Sequence, residues 1–380
     1  MNFEISSEQK ELCEEIIRFA KNVLNKEDNE TGFPYKKWEE MSEFGIFGLN
    51  ISEEYGGLNE SYLTSAMAIE ALGYACTDNG LIFAVNNHIW VGLNMINIYG
   101  NSDLKKRYLP DMVAGKRIGA IAITEADAGS DVFAMKTTAI ETDNGFILNG
   151  SKMFVSNGTI ADVFVVFAKV KMNKKEKFTA FIVDKSLPGI TIGSDIKKMG
   201  LHNCPTAEVI FDQCIIPKMN VLGEEGKGDL LLQGALEWER CYEFASYVGA
   251  MQRVMEKCLE YANERRQFGK YISEFQAVSH KIADMKSKIE LARLMLYKIA
   301  WLKDCGKKAY TEASIFKVFV SESYIQTCRD AMQIFGAYGY TEEYGIVQEL
   351  QDALACSIHS GTNEMQKNTI YNMSLIDIMR

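Results

Sequence analysis

Residues 144–158 read NGFILNGSKMFVSNG, with Asn-Gly at Asn144-Gly145, Asn149-Gly150 and Asn157-Gly158. Such pairs accept positive φ and mark tight turns between strands. Between and beyond them lie β-branched and aromatic segments: Gly145–Leu148, Met153–Val155, Val163–Ala168, Phe178–Val183 and Val209–Phe211. These predict an antiparallel β domain over residues 118–217.

Outward from this island the texture turns helical. Only 5 of 380 residues are proline, at Pro34, Pro110, Pro188, Pro205 and Pro217, and none follows Pro217. Proline removes a backbone donor and clashes with the preceding turn, so proline-free runs suit long helices. Residues 1–117 are expected to form an N-terminal helical domain. Ser7 would cap a first helix whose apolar positions Leu12, Ile16 and Phe19 recur at helical spacing, and Pro110 and Gly115 mark the exit. Residues 218–380 are expected to form a C-terminal four-helix bundle. There Ile282, Met285, Ile289, Ala292, Leu296 and Ile299 form one apolar stripe. Phe316, Val320, Tyr324, Cys328, Ala331 and Phe335 form another, ended by Gly336 as a C-cap. The fold class is mainly α with a central β domain.

Composition excludes several functions. The chain is 47% hydrophobic and 24% charged, which is globular, and its net charge of −10 argues against a nucleic-acid face. Purely apolar runs are short, so no membrane span is expected, and Met1–Lys10 lacks the apolar core of a leader. Nine scattered cysteines without a C-x-x-C pair predict reduced thiols in a cytoplasmic protein. His88, His202, His280 and His359 show no metal spacing; no metal is expected, and each reads as a structural histidine. Neither a G-x-S-x-G elbow nor a G-x-x-x-x-G-K-[ST] phosphate loop occurs.

The most suggestive loop is TEADAGSD, residues 124–131, directly after a predicted strand Ile118–Ile123. Gly129 lets a ligand approach the backbone, and Ser130 offers a hydroxyl and an amide to an anionic group. The plain alternative is an acidic surface turn. Several separated phrases then occur in order: AITEADAGSDV (122–132), LNGSKMFVSNG (148–158), VLGEEGKG (221–228), RRQFGK (265–270), FQA (275–277), QIFGAYGY (333–340) and SGTNEMQ (360–366). Together, over essentially the whole chain, they resemble the acyl-CoA dehydrogenase family of flavoproteins.

The resemblance implies FAD bound between the β domain and the bundle and completed by a neighbouring subunit of a homotetramer. Ile123, Thr124, Gly129 and Ser130 would hold the flavin and pyrophosphate. Phe154 would pack on the isoalloxazine and Ser156 would hydrogen-bond near N5, where the family usually has tryptophan and threonine. Arg265, Gln267, Phe268 and Gln276 would reach the adenine side from a partner subunit. Gln333, Phe335, Gly336 and Ala337 would follow the pyrophosphate and ribose, Ala337 standing where a glycine is usual. Thr362 and Glu364 would complete the site. Read alone, Arg265 is a solvated helix face and Gln333 an ordinary polar helix residue.

The implied reaction removes two hydrogens beside a thioester. A base takes the α-proton while the β-hydrogen leaves as hydride, and donors polarise the thioester carbonyl. In many family members the base is a glutamate just before the Gly-Thr pair. Ser360 holds that place here, with its backbone N–H still available to the carbonyl. Other branches put the glutamate on the first long helix of the bundle, before an arginine, which is Glu239-Arg240 in this chain. Glu239 is therefore expected to be the base, its pKa raised by apolar surroundings, with Arg240 beside the substrate. On spacing alone Glu239 is a solvated helix residue, and Glu243 and Arg240 are near enough for an ion pair.

Cys204-Pro205, Trp238-Glu239-Arg240, Gln276–His280 and Ser360–Thr362 resemble one branch in particular. It oxidises L-proline held as a thioester on a peptidyl or acyl carrier protein, to a pyrroline or pyrrole product in natural-product biosynthesis. Two other readings stay open: a short- or branched-chain acyl-CoA dehydrogenase, and a flavin-binding homologue without catalysis, motivated by the lost glutamate at 360.

Overall fold

A computed structural model of the chain describes residues 4–26, 32–172 and 175–378; Met1, Asn2 and Phe3 of the opening segment lie outside the described residues. Among the described residues, six α-helices precede the first strand: α1 Ser7–Phe19, α2 Tyr35–Phe44, α3 Tyr62–Ala75, α4 Asn79–Asn86, α5 Asn94–Tyr99 and α6 Ser102–Val113. The cap of α1 is Ser6, one residue earlier than spacing suggested. Its hydroxyl accepts from the Gln9 N–H while the Gln9 side chain accepts from the Ser6 N–H, a reciprocal pair that only this register allows. Pro110 sits inside α6, and the chain leaves that helix at Gly115, with φ +68°. The helical run Asn79–Tyr99, wound as a π-helix over Asn87–Leu93, is long and apolar enough to cross a membrane. Counting only uninterrupted apolar runs hides it, because Asn86, Asn87 and Asn94 punctuate it. With 89% of its most apolar window buried inside the protein, it is a core helix.

Among the described residues, the strands of the central sheet are β1 Gly119–Ala122, β2 Thr138–Thr142, β3 Gly145–Ser156, β4 Val163–Met172, β5 Lys175–Asp184, β6 Ile190–Ile192, β7 Thr206–Pro217 and β8 Val221–Leu222. They make one sheet in the order β6-β7-β3-β2-β4-β5-β8, with β1 on β4. Antiparallel pairing dominates, but β1 and β2 each run parallel to β4. Of the Asn-Gly pairs, Asn144-Gly145 turns β2 into β3 and Asn157-Gly158 turns the chain after β3. Asn149-Gly150 makes no turn: it lies inside β3 at a register shift against β7. Gly150 has φ +142°, and a Cβ there would meet Thr137 Oγ1 at 2.5 Å, so a bulge and close packing both require glycine.

The C-terminal part holds α7 Gly228–Glu264, α8 Gln276–Asp304, α9 Tyr310–Phe335, α10 Ile346–Ala355 and α11 Asn363–Ile378, with a short hairpin of β9 Arg266–Gln267 and β10 Lys270–Tyr271. The long helices α7, α8 and α9 pack on one another, and α10 and α11 pack on α9. Both apolar stripes face this core: Met285, Ile289, Ala292, Leu296 and Ile299 are fully buried, as are Phe316, Val320, Tyr324, Cys328 and Ala331. Gly336 ends α9 with φ +60°. Helices α3 and α7 cross at Gly73 and Gly249, where added Cβ atoms would stand 2.1 Å from Ser246 O and Glu70 O respectively. The N-terminal layer and the bundle are thereby joined backbone to backbone. All nine cysteines are free thiols.

Candidate active site

A buried ion pair fixes the loop after β1. Lys152 Nζ on β3 donates to Glu125 Oε1 (2.8 Å) and to the Ile123 carbonyl (3.0 Å), and Met153 N–H donates to Thr124 O (2.8 Å). Glu125 also accepts from the N–H groups of Lys136 (2.6 Å) and Thr137 (2.9 Å) and from the Thr137 hydroxyl (2.5 Å). Burial alone would push this carboxyl up. The donors from Lys136, Lys152 and Thr137 overcome it and bring it down to about 2. The clamp lays Ile123 and Thr124 beside β3, leaving Gly129 and Ser130 exposed on the loop tip. Two residues beyond Lys152, Phe154 is 62% exposed at φ +57°, within a second register shift against β7. An exposed ring in a left-handed backbone is a strained arrangement that serves no internal packing.

Helix α4 and the π-turn after it carry this strand end to the bundle. The Asn157 amide donates to Ala84 O (2.8 Å), the Phe83 ring meets His359 edge-on (4.9 Å), and Asn87 Nδ2 donates to Glu243 Oε1 (2.8 Å). There the expected residues converge. Glu239 is half-buried on α7, and Ser360, buried at φ +59°, faces it from the segment before α11. Burial and then Glu243 push Glu239 up to about 7, against His359, the Ser360 hydroxyl and Arg240, which favour its charge. Arg240 donates from Nε to Ser360 O (3.0 Å), joined there by Gln366 Nε2 (3.3 Å). The spacing-based pair of Arg240 with Glu243 does not form, because the two side chains leave α7 toward different neighbours. Thr362 accepts from the Met365 N–H (3.3 Å) at the start of α11, next to exposed Glu364.

Spacing offered Glu243 only as an ion-pair partner of Arg240, not as a member of this cluster. Fully buried, it is pushed up to about 8 by desolvation, against donors from Ser360 and Asn87 and the charge of Lys317. His359, read from sequence as structural, belongs to the same cluster. Its Nδ1 lies 2.9 Å from Ser360 Oγ and its Nε2 lies 3.3 Å from the Tyr247 hydroxyl. Burial drives its pKa down to about 3, so it is neutral at physiological pH. The i, i+4 spacing of Glu239 and Glu243 was the available signal. His88, by contrast, is a satisfied core histidine held by Met112 O and the Gly119 N–H.

The remaining expected residues gather elsewhere. Arg265, Gln267, Phe268 and Gln276 are exposed at the far end of α7 and the start of α8, Phe268 at 93%. Gln333, Gly336 and Ala337 join them because Tyr261 of α7 stacks on Phe335 at 4.2 Å. Phe335 itself is buried, so its ring is packing. Glu239 and Arg265 stand about 39 Å apart along the axis of α7, at about 1.5 Å per residue. The chain thus carries two separate clusters.

Three domain patterns match in order: the N-terminal domain of acyl-CoA dehydrogenase over residues 6–116, the middle domain over 120–214 and the C-terminal domain over 226–375. The chain belongs to the acyl-CoA dehydrogenase family. Among curated members, the L-prolyl-[peptidyl-carrier protein] dehydrogenase of Serratia sp. is 38% identical over 97% of this chain and 97% of its own. The short-chain-specific acyl-CoA dehydrogenase of Clostridium acetobutylicum is 34% identical over 97% of this chain and 98% of its own. Among solved structures, the prolyl acyl carrier protein oxidase AnaB superposes with a TM-score of 0.94 at 39% identity, covering 97% of this chain and 99% of that one. PigA with FAD and proline gives 0.93 at 36% identity, covering 98% and 99%.

Proposed function

We propose that this acyl-CoA dehydrogenase family member oxidises an aminoacyl thioester with FAD, its substrate L-proline held on a carrier protein and its product a pyrroline or pyrrole thioester. The observation that carries the reading is a half-buried Glu239 with a pKa brought near neutrality, opposite a serine where many relatives hold their base. Full-length likeness to prolyl-carrier-protein dehydrogenases and to AnaB supports the substrate.

The residues fit the cofactor. Phe154 presents an exposed aromatic face, Ser156 a hydroxyl two residues on, and the clamped loop an open glycine at 129, where a Cβ would meet nothing within 4 Å. Ile123, Thr124, Gly129, Ser130, Phe154 and Ser156 would hold the flavin end, with Thr362 and Glu364 beside it. When bound, FAD supplies the acceptor for the substrate's hydride. Glu239 takes the α-proton as a carboxylate. Among the described residues the Ser360 N–H has no acceptor, and it is offered to the thioester carbonyl, where negative charge develops. Arg240 holds the Ser360 carbonyl and so ties residue 360 to α7.

The second cluster lies farther from Glu239 than one dinucleotide reaches. Arg265, Gln267, Phe268, Gln276, Gln333, Gly336 and Ala337 are therefore assigned to the flavin of a neighbouring copy, within a homotetramer. Free thiols at all nine cysteines suit a reducing cytoplasm.

Mass spectrometry of prolyl-carrier protein after incubation with the FAD-loaded enzyme tests the reading. A loss of two or four hydrogens is expected. Flavin reduction by short-chain acyl-CoA esters alone would favour the second reading, an acyl-CoA dehydrogenase, which the Clostridium relative keeps in view.

A further inference from the structure

The carboxylates of Glu239 and Glu243 and the imidazole of His359 place donor atoms within 4.8 Å of one another. Among the described residues, neither carboxylate forms an ion pair with a lysine or arginine. The two cations nearby are engaged elsewhere: Arg240 with Ser360 O (3.0 Å), and Lys317 of α9 with Asn363 Oδ1 (2.8 Å). The apolar wall is aromatic, with Phe83 and Phe244 4.9 and 5.0 Å from the His359 ring. Two like charges this close in so dry a setting cannot both ionise cheaply.

We propose that Glu239 and Glu243 form a hydroxyl-bridged carboxyl–carboxylate pair that holds one proton, placed on the inner Glu243, so that Glu239 faces the substrate as the free carboxylate. The inference rests on Glu239 being the base. Glu243 and Ser360 are then positioning residues.

The hydrogen bonds accommodate this state in full. Asn87 donates to Glu243 Oε1 (2.8 Å), leaving Oε2 to carry the proton. The single hydrogen in the 3.0 Å contact between Glu243 Oε2 and Ser360 Oγ is then donated by the glutamic acid. Neutral His359 donates from Nδ1 to the same Oγ (2.9 Å) and accepts the Tyr247 hydroxyl at Nε2 (3.3 Å). Ser360 thus accepts twice and has its one O–H free to turn toward Glu239, where it favours the charged form against the burial that raises this carboxyl. The charged and titratable groups around the pair are Arg240 and Tyr247 on α7, Lys317 on α9, Glu364 on α11, and Cys356 and His359 after α10. Taking the substrate's α-proton raises the pair from one proton to two, and release of one restores it. The serine at 360, where relatives carry a glutamate, is what makes room for the bridge.

Two measurements test the pair. Infrared difference spectra of the FAD-loaded protein, wild type minus Glu243→Gln at neutral pH, should show the carbonyl band of a protonated carboxyl group. Its absence overturns the proposal. Single-turnover flavin reduction by prolyl-carrier protein should reach half its plateau at the wild-type pH in Glu243→Gln, because glutamine is neutral like the protonated carboxyl it replaces; a fall of about one pH unit or more would show a negative charge at 243 and overturns the proposal. The profile should shift to higher pH in Ser360→Ala, because a donor to the Glu239 carboxylate is gone. A Ser360→Ala profile that coincides with wild type also overturns it. If Glu243→Gln fails to fold, Ser360→Ala decides alone. Glu239→Gln separates the two levels: flavin reduced at the wild-type rate in that variant would remove the base assignment itself, whatever the other variants do.

Discussion

As the proposed base, Glu239 works only when ionised, so its environment sets the pH response of the site. With its pKa pushed up to about 7, flavin reduction by a thioester should rise as pH passes through that value, read by stopped-flow absorbance across buffers. Glu239→Gln should lower the reduction rate by about 10²-fold or more while leaving FAD bound. The same shift has the opposite sign for folding. A carboxyl that holds its proton more tightly when folded gives stability that is complete below the ordinary carboxylate range and lost as pH climbs through about 7. The candidacy of Glu239 was legible in the sequence because it stands at a fixed place in an ordered set of phrases. Two of its companions were not. Asn87 and His359 come from segments far from α7, and nothing in a linear pattern says that the turns after α4 and α10 carry them to Glu243, for which the four-residue spacing from Glu239 was a cue. Arg240 illustrates the limit: its charge suggested a partner on its own helix, whereas a backbone carbonyl 120 residues away holds it.

At the scale of elements, the loop after β1 is useful only if it stays on β3, and one lysine holds it there. Glu125→Ala strips that buried lysine of its charge partner, leaving only the Ile123 carbonyl and the Met135 sulfur within reach of its ammonium. The expected cost is about 3–5 kcal/mol, measured by denaturant unfolding, together with weakened FAD retention. Lys152→Met should cost less, since Glu125 keeps its donors from Lys136 and Thr137. The crossing of α3 and α7 gives a second check. Gly73→Ala drives a methyl into backbone, not into a yielding side chain, and should cost about 1–3 kcal/mol or more. Strand and helix identities followed from apolar periodicity and turn chemistry. The β3 bulge did not, because Asn-Gly permits either a turn or an irregular strand, and the choice is made by β7 and Thr137 pressing on Gly150.

For the whole molecule, two clusters on one chain predict complementation between copies. Protein carrying Glu239→Gln, mixed through unfolding and reassembly with protein carrying Arg265→Ala and Phe268→Ala, should recover sites in which an intact base meets an intact far cluster. Each parent alone should lack them. Recovered flavin reduction per bound FAD measures this, and no recovery would mean that each chain serves its own cofactor. Helix α7, 37 residues long and without proline, links the two clusters. It therefore behaves as a ruler with a phase as well as a length. Adding one residue between its ends lengthens it by about 1.5 Å and also turns one end against the other by about a quarter of a revolution, at 3.6 residues per turn. Under the proposed sharing of sites between copies, a substitution on its outer face would act locally, whereas a single insertion or deletion would misdirect a site in a neighbouring copy. Across descendants of this chain, α7 is free to change its letters and hardly free to change its count.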